Sequence, residues 1–204
     1  MVEEHTLLFL RYLQSVFSSM IKEEHLKIEN VKEVCAVDVA YNGKTGFAVA
    51  SRGSFQEVVQ HKVFSGAVDF PYISGYLFMR EAPIMLKALE GFQCDLLLVD
   101  GHGTAHPRRS GIAVVLGVLL NLPTIGIAKS RLTGEILQDG GVNYVVVNGK
   151  KEGVKSGKYY YSIGNKVDLE DCVYVSKMGY PGVLKETDRL TKKYKKGDNE
   201  SSKE

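Results

Sequence analysis

The stretch of chain between residues 95 and 129 limits the possible folds more than any other. It begins with the unbroken apolar run DLLLVDG, which is typical of a strand buried on both faces of a parallel sheet. An apolar segment with small residues, RSGIAVVLGVLLN, follows at helical spacing, and a second short apolar run, LPTIGIAKS, comes after it. Two parallel strands joined by one helix form a right-handed crossover, so this pattern predicts an α/β protein.

Three β segments separated by turns precede this unit and predict an antiparallel meander. The strand VKEVCAVDVAY ends at Asn42-Gly43, a dipeptide typical of a two-residue hairpin turn because both residues tolerate positive φ. TGFAVAS returns to a second turn at Arg52-Gly53, and FQEVVQHKVF alternates as the third strand. The predicted sheet is therefore mixed, with antiparallel strands at its front.

Helices and further strands are predicted around this sheet. Apolar periodicity predicts a first helix over about residues 4–26. Pro83 would break the interior of a single helix, so we expect one short helix that ends near Arg80 and another that begins around Pro83. The segments VNYVVVNGK, GKYYYSIG and EDCVYVSK are predicted strands, and a helix is expected from Leu184.

Length and composition indicate one globular domain. The chain has 204 residues, of which 44% are hydrophobic and 25% are charged, and these are ordinary values. We expect a single domain over residues 1–190 and a flexible Lys-rich tail over residues 191–204, because TKKYKKGDNESSKE is too polar to pack. No apolar run is long enough to cross a bilayer, and the acidic start argues against a signal peptide. A cytoplasmic monomer without a membrane partner is therefore expected.

The two halves of the chain differ in charge. Residues 1–100 contain 9 Lys and Arg against 13 Asp and Glu, whereas residues 101–204 contain 17 against 11. A basic second half favours a polyanionic partner. A solvated Lys-rich surface explains the same charge equally well.

Two predicted buried strands each carry an aspartate. Asp38 has apolar residues on both sides, and Asp100 ends the run LLLVD. An unpaired buried carboxylate costs several kcal/mol, so each needs a cation, a set of N–H groups or a metal ion. Mg²⁺ prefers oxygen ligands, and Glu81, at the predicted start of a helix, is placed to supply a third carboxylate. An aspartate at a strand end is more often a cap or turn residue, so both interpretations stay open from the pattern alone.

Four blocks of the chain resemble the endonuclease V family. VDVAY, PYISGYLFMREAP, LLLVDGHGTAHPRRSGIA and PTIGIAKSRLTG occur in the family's order, between about residues 34 and 132. The resemblance implies an α/β fold of the ribonuclease H-like type, a mixed sheet with flanking helices. It implies a DNA repair enzyme that binds deoxyinosine-containing DNA and hydrolyses the second phosphodiester bond 3′ to the lesion. Mg²⁺ is the implied cofactor, with Mn²⁺ as a substitute.

The resemblance also implies roles for particular residues. Asp38, Glu81 and Asp100 match the family's catalytic, metal-binding carboxylates. The residues matched to nucleic-acid binding are Pro71, Tyr72 and Ile73 of a strand-separating wedge, the glycines Gly101, Gly103 and Gly126 of a base pocket, and His106, Arg109 and Lys129. A wedge selects weak base pairs because unstacking costs least there, and glycines let backbone amides approach a flipped base. For Arg109, pairing with acidic side chains is an alternative to holding a phosphate.

One stretch departs from the family's pattern. The family carries a late histidine in a Gly-His-Arg block, and Tyr180 stands in that place within VSKMGYPGVLKETDRL. A neutral phenol binds Mg²⁺ poorly and does not act as a base near pH 7. Three alternatives stay open: an inosine-specific ribonuclease, a related nuclease for mismatches or flaps, and an inosine-binding protein with reduced cleavage, which the loss of the histidine would allow.

Overall fold

The computed structural model describes residues 2–201, with side chains through residue 197. The strands in this part of the chain are β1 (Val34–Asn42), β2 (Thr45–Gly53), β3 (Val58–Ala67), β4 (Leu96–Asp100), β5 (Thr124–Ala128), β6 (Glu135–Asp139), β7 (Val142–Val147), β8 (Lys150–Ser156) and β9 (Tyr159–Asn165). The α-helices are α1 (Glu4–Ser19), α2 (Leu77–Leu89), α3 (Ile112–Leu120), α4 (Leu169–Lys177) and α5 (Gly182–Ser201).

All of these strands belong to one mixed sheet, in the order β3-β2-β1-β4-β5-β9-β8-β7-β6. The front meander β1-β2-β3 is antiparallel, β1 pairs with β4 in parallel, and β4 pairs with β5 in parallel across the α3 crossover. The outer strands from β5 to β6 are antiparallel. The predicted fold class, an α/β protein with a mixed sheet and flanking helices, is confirmed.

The central strands are apolar on both faces because helices cover both. Along β1, Cys35 and Val37 pack with α1, α2 and α3, whereas Val34 and Ala36 pack with α4 and α5. This alternation is the two-residue period of a strand. It directs the next even-numbered side chain, that of Asp38, toward the face that carries α5.

Three predictions of local structure are wrong. The first helix ends at Ser19, not near residue 26. Pro83 lies inside the single helix α2, on its exposed side, where water can satisfy the carbonyl that proline leaves unpaired. The segment EDCVYVSK is not a strand but α4, because Asp168 caps the helix and forms a capping box with Asp171.

Helix α5 runs through the expected end of the domain at residue 190. Leu190 and Thr191 are both buried, so the described helix packs on the sheet on both sides of that position. The single domain over residues 1–190 and the flexible tail over residues 191–204 stay predictions, and residues 202–204 lie outside the described residues. Among residues 2–201, no helix is long and apolar enough to span a membrane.

Candidate active site

The predicted carboxylates of β1 and β4 lie next to each other. The parallel register of these strands pairs Val37 with Val99, and Asp38 and Asp100 each follow by one residue. Asp188 reaches the same place from α5, and one carboxylate oxygen of each of the three aspartates lies within 4.8 Å of the others. The site is therefore built from the middle of β1, the neighbouring end of β4 and a helix that crosses both strands.

Side-chain donors surround this group of three aspartates. The ammonium group of Lys129, one residue beyond β5, lies 2.5 Å from Asp100 Oδ2 and 2.9 Å from Asp188 Oδ1. Lys192 lies 2.5 Å from Asp188 Oδ2, and the Thr191 hydroxyl donates to Asp38 Oδ2 at 3.2 Å. Two of the three carboxylates are thus balanced by lysine side chains.

The charges in the group are unevenly compensated. Asp38 is only 7% exposed, and burial together with the charge of Asp100 holds the pKa of Asp38 well above its usual range. Burial also acts to raise the pKa of Asp188, but hydrogen bonds from Lys129 and Lys192 outweigh it and lower that pKa. The pKa of Lys129 is raised, because its bonds to Asp100 and Asp188 outweigh the effect of burial. An additional cation would relieve the repulsion between Asp38 and Asp100, and three carboxylate oxygens are a donor set that suits Mg²⁺ or Mn²⁺.

Glu81 lies beside this group without belonging to it. It projects from the interior of α2, not from a helix start as we expected, and lines the same cavity as Asp38 and Asp100. The Tyr41 hydroxyl donates to Glu81 Oε1 at 2.9 Å. Burial raises the pKa of Glu81 to about 7, with a smaller contribution from the charge of Asp100. Glu81 is thus a carboxyl group that exchanges a proton near neutral pH.

The cavity next to the carboxylates has a volume of about 780 Å³. Of the residues assigned to nucleic-acid binding, those that line it are Tyr72, Gly101, His106 and Lys129. Tyr72 is 69% exposed and lies at the mouth. Pro71, Ile73, Gly103, Arg109 and Gly126 are not among its lining residues. The structure thus brings together part of the predicted binding set.

Two of the predicted pocket glycines permit backbone packing instead of lining the cavity. A Cβ atom on Gly103 would lie 2.0 Å from the carbonyl oxygen of Ile163, and one on Gly126 would lie 2.6 Å from that of Gly101. Gly101 itself, with φ of 154°, lines the cavity. Gly103 and Gly126 therefore shape the site indirectly, by letting neighbouring backbones approach.

A buried network holds the loop behind Tyr72. His106 Nε2 donates to the Gly75 carbonyl at 3.1 Å, and its Nδ1 accepts from the Arg108 backbone N–H at 3.1 Å. Burial, with a contribution from Arg108, lowers the pKa of His106 to about 4. Arg108 donates to the same carbonyl at 2.9 Å and to Gln14 Oε1 at 2.5 Å. A neutral histidine and a charged arginine thus fix Gly75.

Arg109 points away from this cavity. Its guanidinium group contacts Glu152 at 2.5 Å and Glu23 at 2.7 Å. The pKa of Arg109 is raised, since its bonds to Glu152 and Glu23 outweigh the effect of burial. Of the two interpretations that the sequence left open for Arg109, pairing with acidic side chains is the one present in the structure.

Tyr180 lies beside the three aspartates but is not part of that group. Its ring stacks on Tyr159 at a centroid distance of 4.1 Å and an angle of 15°. The Tyr180 hydroxyl is buried without a hydrogen-bond partner among the described residues. Burial and the charges of the aspartates raise its pKa. The residue from the C-terminal part of the chain that joins Asp38 and Asp100 is Asp188, eight positions after Tyr180.

Sequence reasoning missed Asp188 and Gln14, although each left a signal. Leu184, Asp188 and Thr191 follow helical spacing along α5, so Asp188 interrupts the face that Leu184 and Thr191 bury. Gln14 is fully buried on the inner face of α1 and donates to the carbonyls of Gly75 and Ser110. A polar residue on an otherwise buried helix face requires a partner, and this is the pattern that points to both.

The fold and the site together define a class of protein. Carboxylates that converge on neighbouring parallel strands of a mixed α/β sheet, beside a cavity, are the arrangement of hydrolases that cut phosphodiesters with a metal ion. A sequence profile described as Endonuclease V matches residues 15–184. The chain belongs to the endonuclease V family and is a nuclease of that family.

Individual relatives agree with this assignment along nearly the whole chain. Endonuclease V of Saccharolobus solfataricus is 58% identical over 197 residues, which cover 96% of this chain and 100% of that protein. The crystal structure of endonuclease V from Streptomyces avermitilis superposes with a TM-score of 0.84 at 29% identity, covering 98% and 96% of the two chains. Endonuclease V of Ciona intestinalis, solved with a 24mer DNA containing an inosine followed by a ribo-adenosine, has a TM-score of 0.80 at 23% identity, with 95% and 99% coverage, and shares the fold.

Proposed function

We propose that this nuclease depends on Mg²⁺, recognises deoxyinosine in DNA and hydrolyses the second phosphodiester bond 3′ to it. The observation that carries the proposal is the convergence of Asp38, Asp100 and Asp188 within 4.8 Å beside the cavity that Tyr72 and Gly101 line. Membership of the endonuclease V family supports it, as does the inosine-containing DNA bound to the Ciona relative. Such an activity would cut DNA beside deaminated adenine and so begin its repair.

Three carboxylates would hold the metal ion. Asp38, Asp100 and Asp188 offer oxygen ligands, which Mg²⁺ prefers and Mn²⁺ accepts. When bound there, a divalent cation would lower the pKa of an attacking water and would neutralise charge on the scissile phosphate. Lys129, which already contacts Asp100 and Asp188, is a point charge that would orient the same phosphate.

Glu81 would act as the general base that accepts the proton of the attacking water. Its pKa of about 7 leaves a large ionised fraction at neutral pH, and the hydroxyl of Tyr41 fixes its orientation. A carboxylate with a pKa near the working pH is suited to accept a proton in the transition state. Glu81 would thus accept the proton of the attacking water, while the three aspartates would hold the metal ion.

The cavity and its mouth would select the base. Tyr72, exposed at the mouth, is placed to enter the base stack beside the lesion while the displaced base turns into the cavity near Gly101. Extruding a base costs a few kcal/mol, and least for a weak pair such as that of inosine. His106 and Arg108 support this step indirectly, because they hold Gly75, three residues after Tyr72.

The test is a cleavage assay on matched oligonucleotides. DNA and RNA strands with inosine or adenine at one position are incubated with Mg²⁺, with Mn²⁺ or with a chelator. We expect cutting of the inosine DNA only when the ion is present, at the second bond 3′ to inosine. Asp38→Asn should abolish cutting and retain binding, whereas Asp139→Asn, at an exposed aspartate paired with Lys151 on the outer sheet, should cut normally.

Each alternative has its own signature in this assay. Cutting of inosine RNA alone would replace the proposal with an inosine-specific ribonuclease. Equal cutting of flap or mismatch substrates without inosine would indicate a related nuclease of different preference. Tight inosine binding without cutting in any ion would indicate a binding protein, the outcome that Tyr180 in place of the family histidine suggests and that the three converging aspartates argue against.

A further inference from the structure

Lys129 lines both the cavity beside Tyr72 and Gly101, which we call the base cavity, and a second cavity. The second cavity has a volume of about 570 Å³. We call it the lysine cavity, after its lining of Lys129, Lys158, Lys185, Lys192, Tyr159, Tyr180 and Asp188. Asp38 and Asp100 line the base cavity and Asp188 lines the lysine cavity, so the carboxylates lie between the two cavities.

The lysine cavity carries more positive charge than its own acid balances. Lys129 and Lys192 pair with Asp188. Lys158 and Lys185 have no carboxylate within ion-pair distance among the described residues, although both are exposed at the cavity. Unpaired lysines grouped in a concave surface attract a polyanion and bind phosphates by displacing their counterions.

One wall of the lysine cavity is aromatic. Tyr159 and Tyr180 stack face to face, and the ammonium group of Lys158 lies 5.3 Å from the centre of the Tyr159 ring. Positive charges that follow a backbone, combined with aromatic rings, are the means by which proteins hold single strands without reading sequence. The chemistry of the cavity therefore suits a nucleotide strand better than a lone inorganic anion.

We propose that the lysine cavity binds the strand that continues 3′ from the cut, with Lys158 and Lys185 on its phosphates. This inference rests on the proposed function. If the inosine base enters the base cavity and the cut bond lies 3′ to it, the strand leaves the carboxylates on the side opposite the base cavity. That side is the lysine cavity, so it would hold the fragment that keeps the 5′-phosphate.

The experiment combines a double variant with substrates of different length. Lys158→Gln/Lys185→Gln is compared with Lys32→Gln/Lys87→Gln, which removes the same charge at exposed lysines that line neither of these two cavities. The substrates are single-stranded inosine oligonucleotides with an uncleavable linkage at the scissile position, ending one or six nucleotides beyond it. Affinity is measured in Mg²⁺ as a function of salt, and thermal melting checks that both variants fold.

The expected result is a loss that depends on substrate length. Lys158→Gln/Lys185→Gln should bind the long oligonucleotide about tenfold more weakly than wild type, with a salt slope smaller by about 1.4 because two phosphate contacts are lost. It should bind the short oligonucleotide as wild type does, and the control should match wild type on both. Equal losses on the two lengths, or no loss, would overturn the inference. A wild-type protein that fails to cut a normal inosine strand would instead overturn the proposed function.

Discussion

Two groups of acidic side chains look alike until their donors are compared. Asp38, Asp100 and Asp188 form one, and His25, Asp168 and Asp171 form the other. In each group, one ligand atom of every member lies within 4.8 Å of the others. Distance between carboxylates therefore does not separate a catalytic group from a structural one.

Apart from His25, which is itself a member, the donors of the second group belong to the backbone. The N–H of Asp171 donates to Asp168 Oδ1 at 2.9 Å, and the N–H of Asp168 donates to Asp171 Oδ2 at 3.0 Å. The N–H of Leu26 donates to the same Asp171 oxygen at 2.9 Å. These contacts cap α4 and tie the segment after α1 to it, so the carboxylates complete the fold.

The donors of the first group are side chains that can move. Lys129 and Lys192 hold Asp100 and Asp188 through flexible ammonium groups, and Asp38 receives the Thr191 hydroxyl. Lysine side chains can turn toward a phosphate when a divalent ion takes their place, whereas backbone N–H groups of a helix cannot. The kind of donor, fixed or exchangeable, therefore indicates which of the two groups can bind a metal ion.

Replacing Asp188 should have the largest effect on cleavage, and the matched replacement in the second group should have none. Asp188→Asn should lower the rate of inosine cleavage by about 10³-fold, because the loss of one ligand removes several kcal/mol of transition-state stabilisation. Asp171→Asn, the matched change in the other group, should cut at the wild-type rate. The measurement is single-turnover cleavage with saturating Mg²⁺. A wild-type rate for Asp188→Asn would remove that residue from the site.

The position of the two aspartates on strands was predictable from sequence, whereas for Asp188 the sequence signalled only a polar residue in need of a partner, not its place in the site. Asp38 and Asp100 each follow the last residue pair of the parallel strands β1 and β4, Val37 and Val99, so the register of these strands places them side by side. Asp188 depends on how α5 docks across that edge, which is set by the packing of residues such as Leu184 and Val183 far from the strands in sequence. The local sequence pattern predicts which strands pair, but it does not predict where a helix packs on the sheet.

The errors in local structure have two different origins. EDCVYVSK alternates like a strand, yet Asp168 and Asp171 at its start are a readable capping box that outweighs β-branched residues. Pro83 suggested a break in α2, but burial of Phe78, Met85 and the rest of that apolar face stabilises a continuous helix. Tertiary packing decided one case, and an overlooked cap decided the other.

His106 is a buried titratable side chain whose hydrogen-bond partners are fixed. Its folded pKa of about 4 lies below the ordinary value of 6.5, so below pH 6.5 the unfolded chain binds a proton that the folded chain does not. Folding stability should therefore fall between pH 6.5 and pH 4, by up to about 3 kcal/mol. His106→Gln keeps a donor and an acceptor for Gly75 and Arg108 and should lose this part of the pH dependence. Urea unfolding across the range measures it, and parallel curves for the two proteins would contradict it.

Removing the helix cap should have a smaller effect, on stability alone. Asp168→Ala deletes the acceptor for the Asp171 N–H and should lower the free energy of unfolding by about 1 kcal/mol. Asp168→Asn retains a cap and is the matched control. Cleavage by both variants should equal wild type. A loss of cleavage in Asp168→Ala comparable to that of Asp188→Asn would mean that the second acidic group also takes part in the reaction.

The smallest effect expected is that of His25, the exposed member of the second group. Its hydrogen bond with Asp168 is the main reason that the pKa of His25 is raised. A raised pKa gives a stabilisation that is present below the ordinary pKa and is lost as the pH rises through the folded value. His25→Gln should therefore lower the melting temperature at about pH 5.5, by less than Asp168→Ala does, and leave it unchanged at about pH 9.

In the Asp168→Ala background the effect of His25→Gln at low pH should shrink, because the partner of the imidazolium is gone. An equal decrease at both pH values would show that His25 acts by packing and not by charge.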